Sequence, residues 1–153
     1  ATVHVHGPDG RREVPIADYF TGPGRTRRAA GELLAGVRIP LPPAGHYARF
    51  FKFGTRPALD ISAISIGLAG VRAGGALANV RVAFGAVAPT PVRAHRTEQA
   101  LEGKRLDAAT IAHAAQVARD EVDPIDDVRA SAWYRKELIH NMTQRMLDHA
   151  TQA

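Results

Sequence analysis

The chain has 153 residues, 45% hydrophobic and 23% charged, which fits one globular domain or one domain and a small piece. It has no cysteine, which excludes a disulfide or a thiolate-ligated cluster on this polypeptide. No run approaches the roughly 18 apolar residues of a spanning helix. A net charge of +5 can mean nucleic acid, an anionic membrane or an acidic partner, but the arginines are scattered and aromatics are few, so nucleic acid is not expected and a solvated arginine-rich surface is the better reading.

Thr2 to His6 alternates apolar and polar residues, as a half-buried strand does. Gly7-Pro8-Asp9-Gly10 is a turn signal, and Arg12 to Ile16 returns as the second strand of a hairpin. Gly22-Pro23-Gly24 breaks the chain. It lacks the lysine and the strand–loop–helix setting of a phosphate loop. Glu32 to Pro40 reads as a strand that Pro40 stops, and Pro42-Pro43 makes a linker. The boundary between two structural units is expected here, dividing residues 1–43 from 44–153.

His46 to Phe53 reads as the first strand of the second unit. Asp60 to Val71 is apolar and β-branched, Gly74-Gly75 is a hairpin turn, and Asn79 to Ala88 is the return strand. Beyond Pro91 the period becomes helical. A short helix over Thr97 to Glu102 is stopped by Gly103. Asp107 caps a second, running to about Val122 with Ile111, Ala115 and Ala118 on one face. A last helix spans about Ser131 to Thr151, with Leu138, Met142 and Met146 in one stripe and Arg135, Gln144 and Arg145 away from it.

Few residues present a chemical constellation. None of the seven histidines stands at the i, i+4 spacing of a helical metal pair. His4 and His6 share one strand face, but further ligands are missing, so a surface pair is the better reading. There is no G-x-S-x-G elbow. No metal ligands and no catalytic residues are assigned. Lys52, Arg56 and Asp60 stand four apart, at a strand end and the loop after it, where function often sits. Two cations and an orienting carboxylate suit a ring that gains negative charge on reduction. On residue chemistry alone, an ion-pair set that merely fixes the loop is the commoner outcome.

The pattern Lys-x-x-x-Arg-x-x-x-Asp-Ile, from Lys52 to Ile61, resembles the flavoprotein subunit of the molybdenum hydroxylases. That family includes carbon monoxide dehydrogenase medium subunits and the flavin part of xanthine dehydrogenases. Flanking segments agree in order: DYFTGPGRT and GELLAGVRIP before it, GAVAPTPVRAHRTEQALEGK and DPIDDVRASAWYRKELI after it. The chain departs from the pattern at Arg28-Ala29-Ala30-Gly31-Glu32-Leu33, where the family reads Leu-Arg-Pro-x-Glu-Leu.

The resemblance implies an α+β fold: the end of a flavin-binding domain, then a three-stranded antiparallel sheet with a helical bundle. It implies FAD as cofactor, with Leu34 packing on the ring, Lys52 at the flavin beside an access loop from Phe53 to Leu59, and Arg56 and Asp60 completing the site. The glycine-rich loops that hold the pyrophosphate are expected upstream of Ala1, in a longer subunit rather than a split polypeptide or a relic. A molybdopterin large subunit and a small subunit with two [2Fe–2S] clusters are the implied partners, in the cytoplasm. The implied role is to pass electrons from those clusters to an external acceptor. The alternative is a docking module with no cofactor of its own.

Overall fold

The computed structural model describes residues 1–56 and 59–152, and the chain divides into two compact units, Ala1–Pro42 and Pro43–Ala153. In the first, β1 (Thr2–Gly7) and β2 (Gly10–Pro15) form the expected hairpin, and β5 (Leu33–Arg38) pairs with the other side of β1. Alternation turns Val3 and Val5 to one face, where Val14 and Tyr19 join them in a small core. Between β2 and β5 lie one turn of helix, α1 (Ile16–Tyr19), and a small hairpin of β3 (Phe20–Gly22) and β4 (Arg25–Thr26). Gly24 takes φ +65° in its turn, a conformation that glycine adopts without cost.

One ion pair ties this unit across its connections. Glu32 accepts two bonds from the Arg12 guanidinium, each 2.7 Å, and one from the Ala29 amide. The arginine holds the Glu32 carboxyl down at about 2, from an ordinary 4.5. Gly7 leaves the space, since a Cβ there would come within 2.8 Å of Glu32 Cγ.

The second unit is a sheet ordered β6-β7-β8-β9, all antiparallel, with helices on one face. The three long strands are β6 (His46–Phe53), β7 (Ile64–Ala73) and β8 (Ala76–Gly85), and β9 (Val92–Arg93) adds a two-residue fourth. Gly74 and Gly75, at φ +57° and +83°, form the two-residue turn that joins β7 to β8. The three expected helices are α2 (His95–Leu101), α3 (Ala108–Glu121) and α4 (Ala132–Gln152). Asp107 caps α3 by accepting from the Thr110 amide at 2.8 Å. Ile64, Ile66 and Leu68 of β7 and Val80, Val82 and Phe84 of β8 meet Leu101, Ile111, Ile139, Met146 and Leu147 in the main core. Among the described residues no helix is long and apolar enough to cross a membrane.

The free edge of β8 is closed by carboxylates rather than by a long strand. Glu102 accepts from the amides of Asn79 and Val80, and Glu98 from that of Val82, all at 2.8 Å. Glu121 of α3 accepts from the Arg96 and Thr97 amides at the start of α2.

Two expectations change. The strand expected from Asp60 begins only at Ile64, because the Asp60 carboxylate is bonded back to the amides of Thr55 and Arg56 and Leu59 takes φ +52°. Arg135, expected away from the methionine stripe, stands three residues before Leu138 on the same helix face and is buried. Its guanidinium donates to the Ala86 carbonyl at 3.0 Å and to Asp127 at 2.7 Å, pinning the segment before α4 to the end of β8.

Met142 is 9% exposed and packs in the main core. Met142→Ala is expected to cost roughly 2–5 kcal/mol in denaturant unfolding, against about 0.5 kcal/mol for a surface change. The Glu32 pair carries a pH signature. Its folded pKa is depressed, so its stabilisation is complete above about 4.5 and is lost as pH falls toward about 2. Thermal melts of Glu32→Gln should lack that acid limb.

A clamped loop after strand β6

Lys52 is the penultimate residue of β6, and the chain leaves the sheet at Gly54. The loop closes on itself where the Ala63 amide donates to the Phe53 carbonyl at 2.8 Å. Inside it, Asp60 Oδ2 accepts from the Thr55 amide, from Thr55 Oγ1 at 3.2 Å and from the Arg56 amide at 3.1 Å. These bonds, that from Arg56 first, hold the Asp60 carboxyl below its usual range. The main-chain carbonyl of Asp60 accepts from Lys52 Nζ, and the Arg56 guanidinium donates to the Leu59 carbonyl. Residues 57 and 58 of the expected access loop lie outside the described residues.

Lys52, Arg56 and Asp60 are thus brought together, but not as an ion-pair set. The Asp60 carboxylate takes loop amides, and both cations bond to carbonyls. No carboxylate among the described residues forms a salt bridge with Lys52 or Arg56. Their charge is therefore uncompensated at close range. Gly54, which sequence reasoning passed over, is part of the design. A Cβ there would collide with the Asp60 carboxylate. The signal was its place directly after the strand, two residues past Lys52.

Leu34 belongs to the first unit. It sits opposite Val5 on β5 and is 49% exposed, beside Leu33 at 71% and Val37 at 48%. β5 is thus an edge strand with apolar side chains exposed on both faces. His4 and His6 lie on β1, where His4 Nδ1 is 3.7 Å from Glu13. Among the described residues no cluster of three or more His, Cys, Asp or Glu could hold a metal.

The sheet face away from the helices also escaped sequence reasoning. Phe50, Ala48, Gly67, Ala69 and Ala83 floor an open trough of about 520 Å³ with Arg81 at its rim. Phe50 is 69% exposed. Strands β6 to β9 contain no Asp or Glu, but carry Arg49, Lys52, Arg72, Arg81 and Arg93. The small-residue alternation Ser65, Gly67, Ala69 was the available signal.

The fold is a small sheet unit followed by a sheet-and-helix unit, and comparison with known proteins gives the family. Residues 49–150 match the family described as the CO dehydrogenase flavoprotein C-terminal domain, and residues 1–42 match the FAD binding domain in molybdopterin dehydrogenase. The chain is 33% identical to the xanthine dehydrogenase FAD-binding subunit of Escherichia coli O157:H7, over 100% of this chain and 53% of that one. It is 31% identical to the carbon monoxide dehydrogenase medium chain of Afipia carboxidovorans, over 98% and 52%. Among solved structures, reconstituted CO dehydrogenase from Oligotropha carboxidovorans aligns with TM-score 0.91 and 29% identity, over 99% of this chain and 52% of that one. Quinoline 2-oxidoreductase from Pseudomonas putida 86 aligns with TM-score 0.89 and 30% identity, over 99% and 52%. The chain belongs to the family of FAD-binding, or medium, subunits of the molybdenum hydroxylases. It spans about half the length of the curated relatives it matches.

The Gly54 contact can be tested directly. Gly54→Ala is expected to lower the thermal midpoint and to speed amide exchange at Thr55. Gly67→Ala, where a Cβ meets nothing within 4 Å, should change neither.

Proposed function

We propose that this chain is the C-terminal part of a FAD-dependent electron-transfer subunit. In this reading it takes electrons from the iron–sulfur clusters of a partner and passes them to an external acceptor. The supporting observation is Lys52, a cation tethered to a carbonyl at a strand end, with no carboxylate partner among the described residues. The hydroxylation itself belongs to a molybdopterin large subunit, and no residue of this chain performs it. Residues 1–43 would be the end of the FAD-binding domain and residues 44–153 the flavoprotein C-terminal domain, in a cytoplasmic complex.

Within its own unit, each residue offers a group that the ring end of FAD would use. Leu34 offers a half-exposed apolar side chain, of the kind that walls a tricyclic ring and excludes water. Lys52 offers an ammonium with donors left after its one bond to Asp60. Arg56 adds a second cation to the same loop. When bound, FAD supplies the redox chemistry that no side chain here can provide. Lys52 would stabilise the charge that reduction places at the pyrimidine end of the ring. Its value lies in being placed before that charge develops, so nothing has to reorganise during transfer.

A second reading, a docking module without cofactor, draws on the trough and on the exposed apolar residues of β5. Visible spectra of the purified full-length subunit separate the two. Stoichiometric flavin supports the first reading, and a colourless protein that assembles normally supports the second.

Lys52→Met keeps most of the stem volume and removes the charge. In the FAD-loaded subunit it should lower the flavin potential by on the order of 30 mV, which corresponds to about 1.4 kcal/mol for a two-electron couple. Reductive titration against wild type reads the shift. An unchanged potential at normal FAD content would make Lys52 a structural lysine.

A further inference from the structure

We infer that Asp60 is a positioning residue for the flavin, which it serves by holding Lys52 in place without touching the ring. The inference rests on the reading that Lys52 lies at the flavin. A lysine carries its charge on a flexible four-carbon stem, and an untethered ammonium spreads over many positions. Here Nζ is tied to one acceptor, the main-chain carbonyl of Asp60. That carbonyl is itself fixed by the side chain of the same residue. Oδ2 reaches back four and five positions and gathers the Arg56 amide, the Thr55 amide and the Thr55 hydroxyl. One residue therefore brackets the loop twice. Its side chain anchors the first half, and its backbone anchors the cation.

The residue types follow from this geometry. Three donors converging on one oxygen favour an ionised acceptor, because charge-assisted bonds are roughly twice as strong as neutral ones. The depressed Asp60 pKa agrees with that ionised state. A short side chain is needed at this distance, and Gly54 clears the room for it. Arg56 bonds the Leu59 carbonyl and tethers the far side of the same loop. The carboxylate spends its bonding on amides rather than on the Lys52 ammonium, so it locates the cation without pairing with it.

A purely structural role for Asp60 would make the effect of Asp60→Ala on the flavin potential the same whether or not Lys52 is present. The test is a double-mutant cycle on the full-length, FAD-loaded subunit, read by reductive titration. Asp60→Ala should lower the potential by a large fraction of the Lys52→Met shift, and should add nothing when Lys52→Met is already in place. Asp60→Asn, which keeps an acceptor oxygen, should fall between wild type and Asp60→Ala. Amide exchange at Thr55 and Arg56 should quicken in Asp60→Ala but not in Lys52→Met. If Asp60→Ala does not fold or load FAD, Thr55→Val removes only the hydroxyl bond and should give a smaller shift of the same sign. A shift of equal size in both Lys52 backgrounds overturns the inference. So does no shift from either Asp60→Ala or Thr55→Val while Lys52→Met shifts normally. A silent Lys52→Met overturns the underlying reading instead, and the inference falls with it.

Discussion

The second unit depends on the burial of one face of its sheet. Strand alternation sends Ile64, Ile66 and Leu68 of β7 inward, and α2, α3 and α4 lie over them. That choice forces Ser65, Gly67 and Ala69 to the opposite face. It also fixes where β6 ends and where the following loop must emerge. With the helices all on one side, the other side stays open, floored by small residues, and Phe50 stands exposed on it. A sheet covered on both faces would have no surface to present.

A second regularity runs through both units. Acidic side chains are used as acceptors for backbone amides. Glu32 binds the Ala29 amide, Asp60 those of Thr55 and Arg56, Glu98 that of Val82, Glu102 those of Asn79 and Val80, and Glu121 those of Arg96 and Thr97. Each satisfies a donor that the local fold leaves without a strand or helix partner. Glu32 and Glu98 also pair with Arg12 and Arg93, whereas Lys52 and Arg81 have no acidic partner among the described residues.

Membership of the flavoprotein family gives these features a common setting. In the proposed reading, Leu34 would supply an apolar wall and the β6 loop a fixed cation. Neither is closed within its own unit. The apolar side chains of β5 are exposed on both faces, and Lys52 points no charge at a carboxylate.

Much of this was legible in the sequence. Alternation at Thr2 to His6, the Gly74-Gly75 turn, the Asp107 cap and the Leu138, Met142, Met146 stripe are local signals, and each gave its element. Local periodicity records which face of an element is apolar, and burial follows it. The motif from Lys52 to Asp60 was also visible, as was the family it resembles. What the sequence could not determine was the partner of each polar group. Arg135 is buried because Asp127 and the Ala86 carbonyl, the latter 49 residues away, happen to meet it. Asp60 could be read as a mate for Lys52 or Arg56, but bonds to amides instead, and this delays β7 to Ile64. Gly54 reads as a turn glycine until the Asp60 carboxylate is found against it. Hydrogen bonds are decided over a few ångströms of three-dimensional space, and spacing along the chain does not fix those distances. The sequence alone determined the main elements, their apolar faces and the family. Only the tertiary structure decided which charged groups bond to the backbone and which pair with one another.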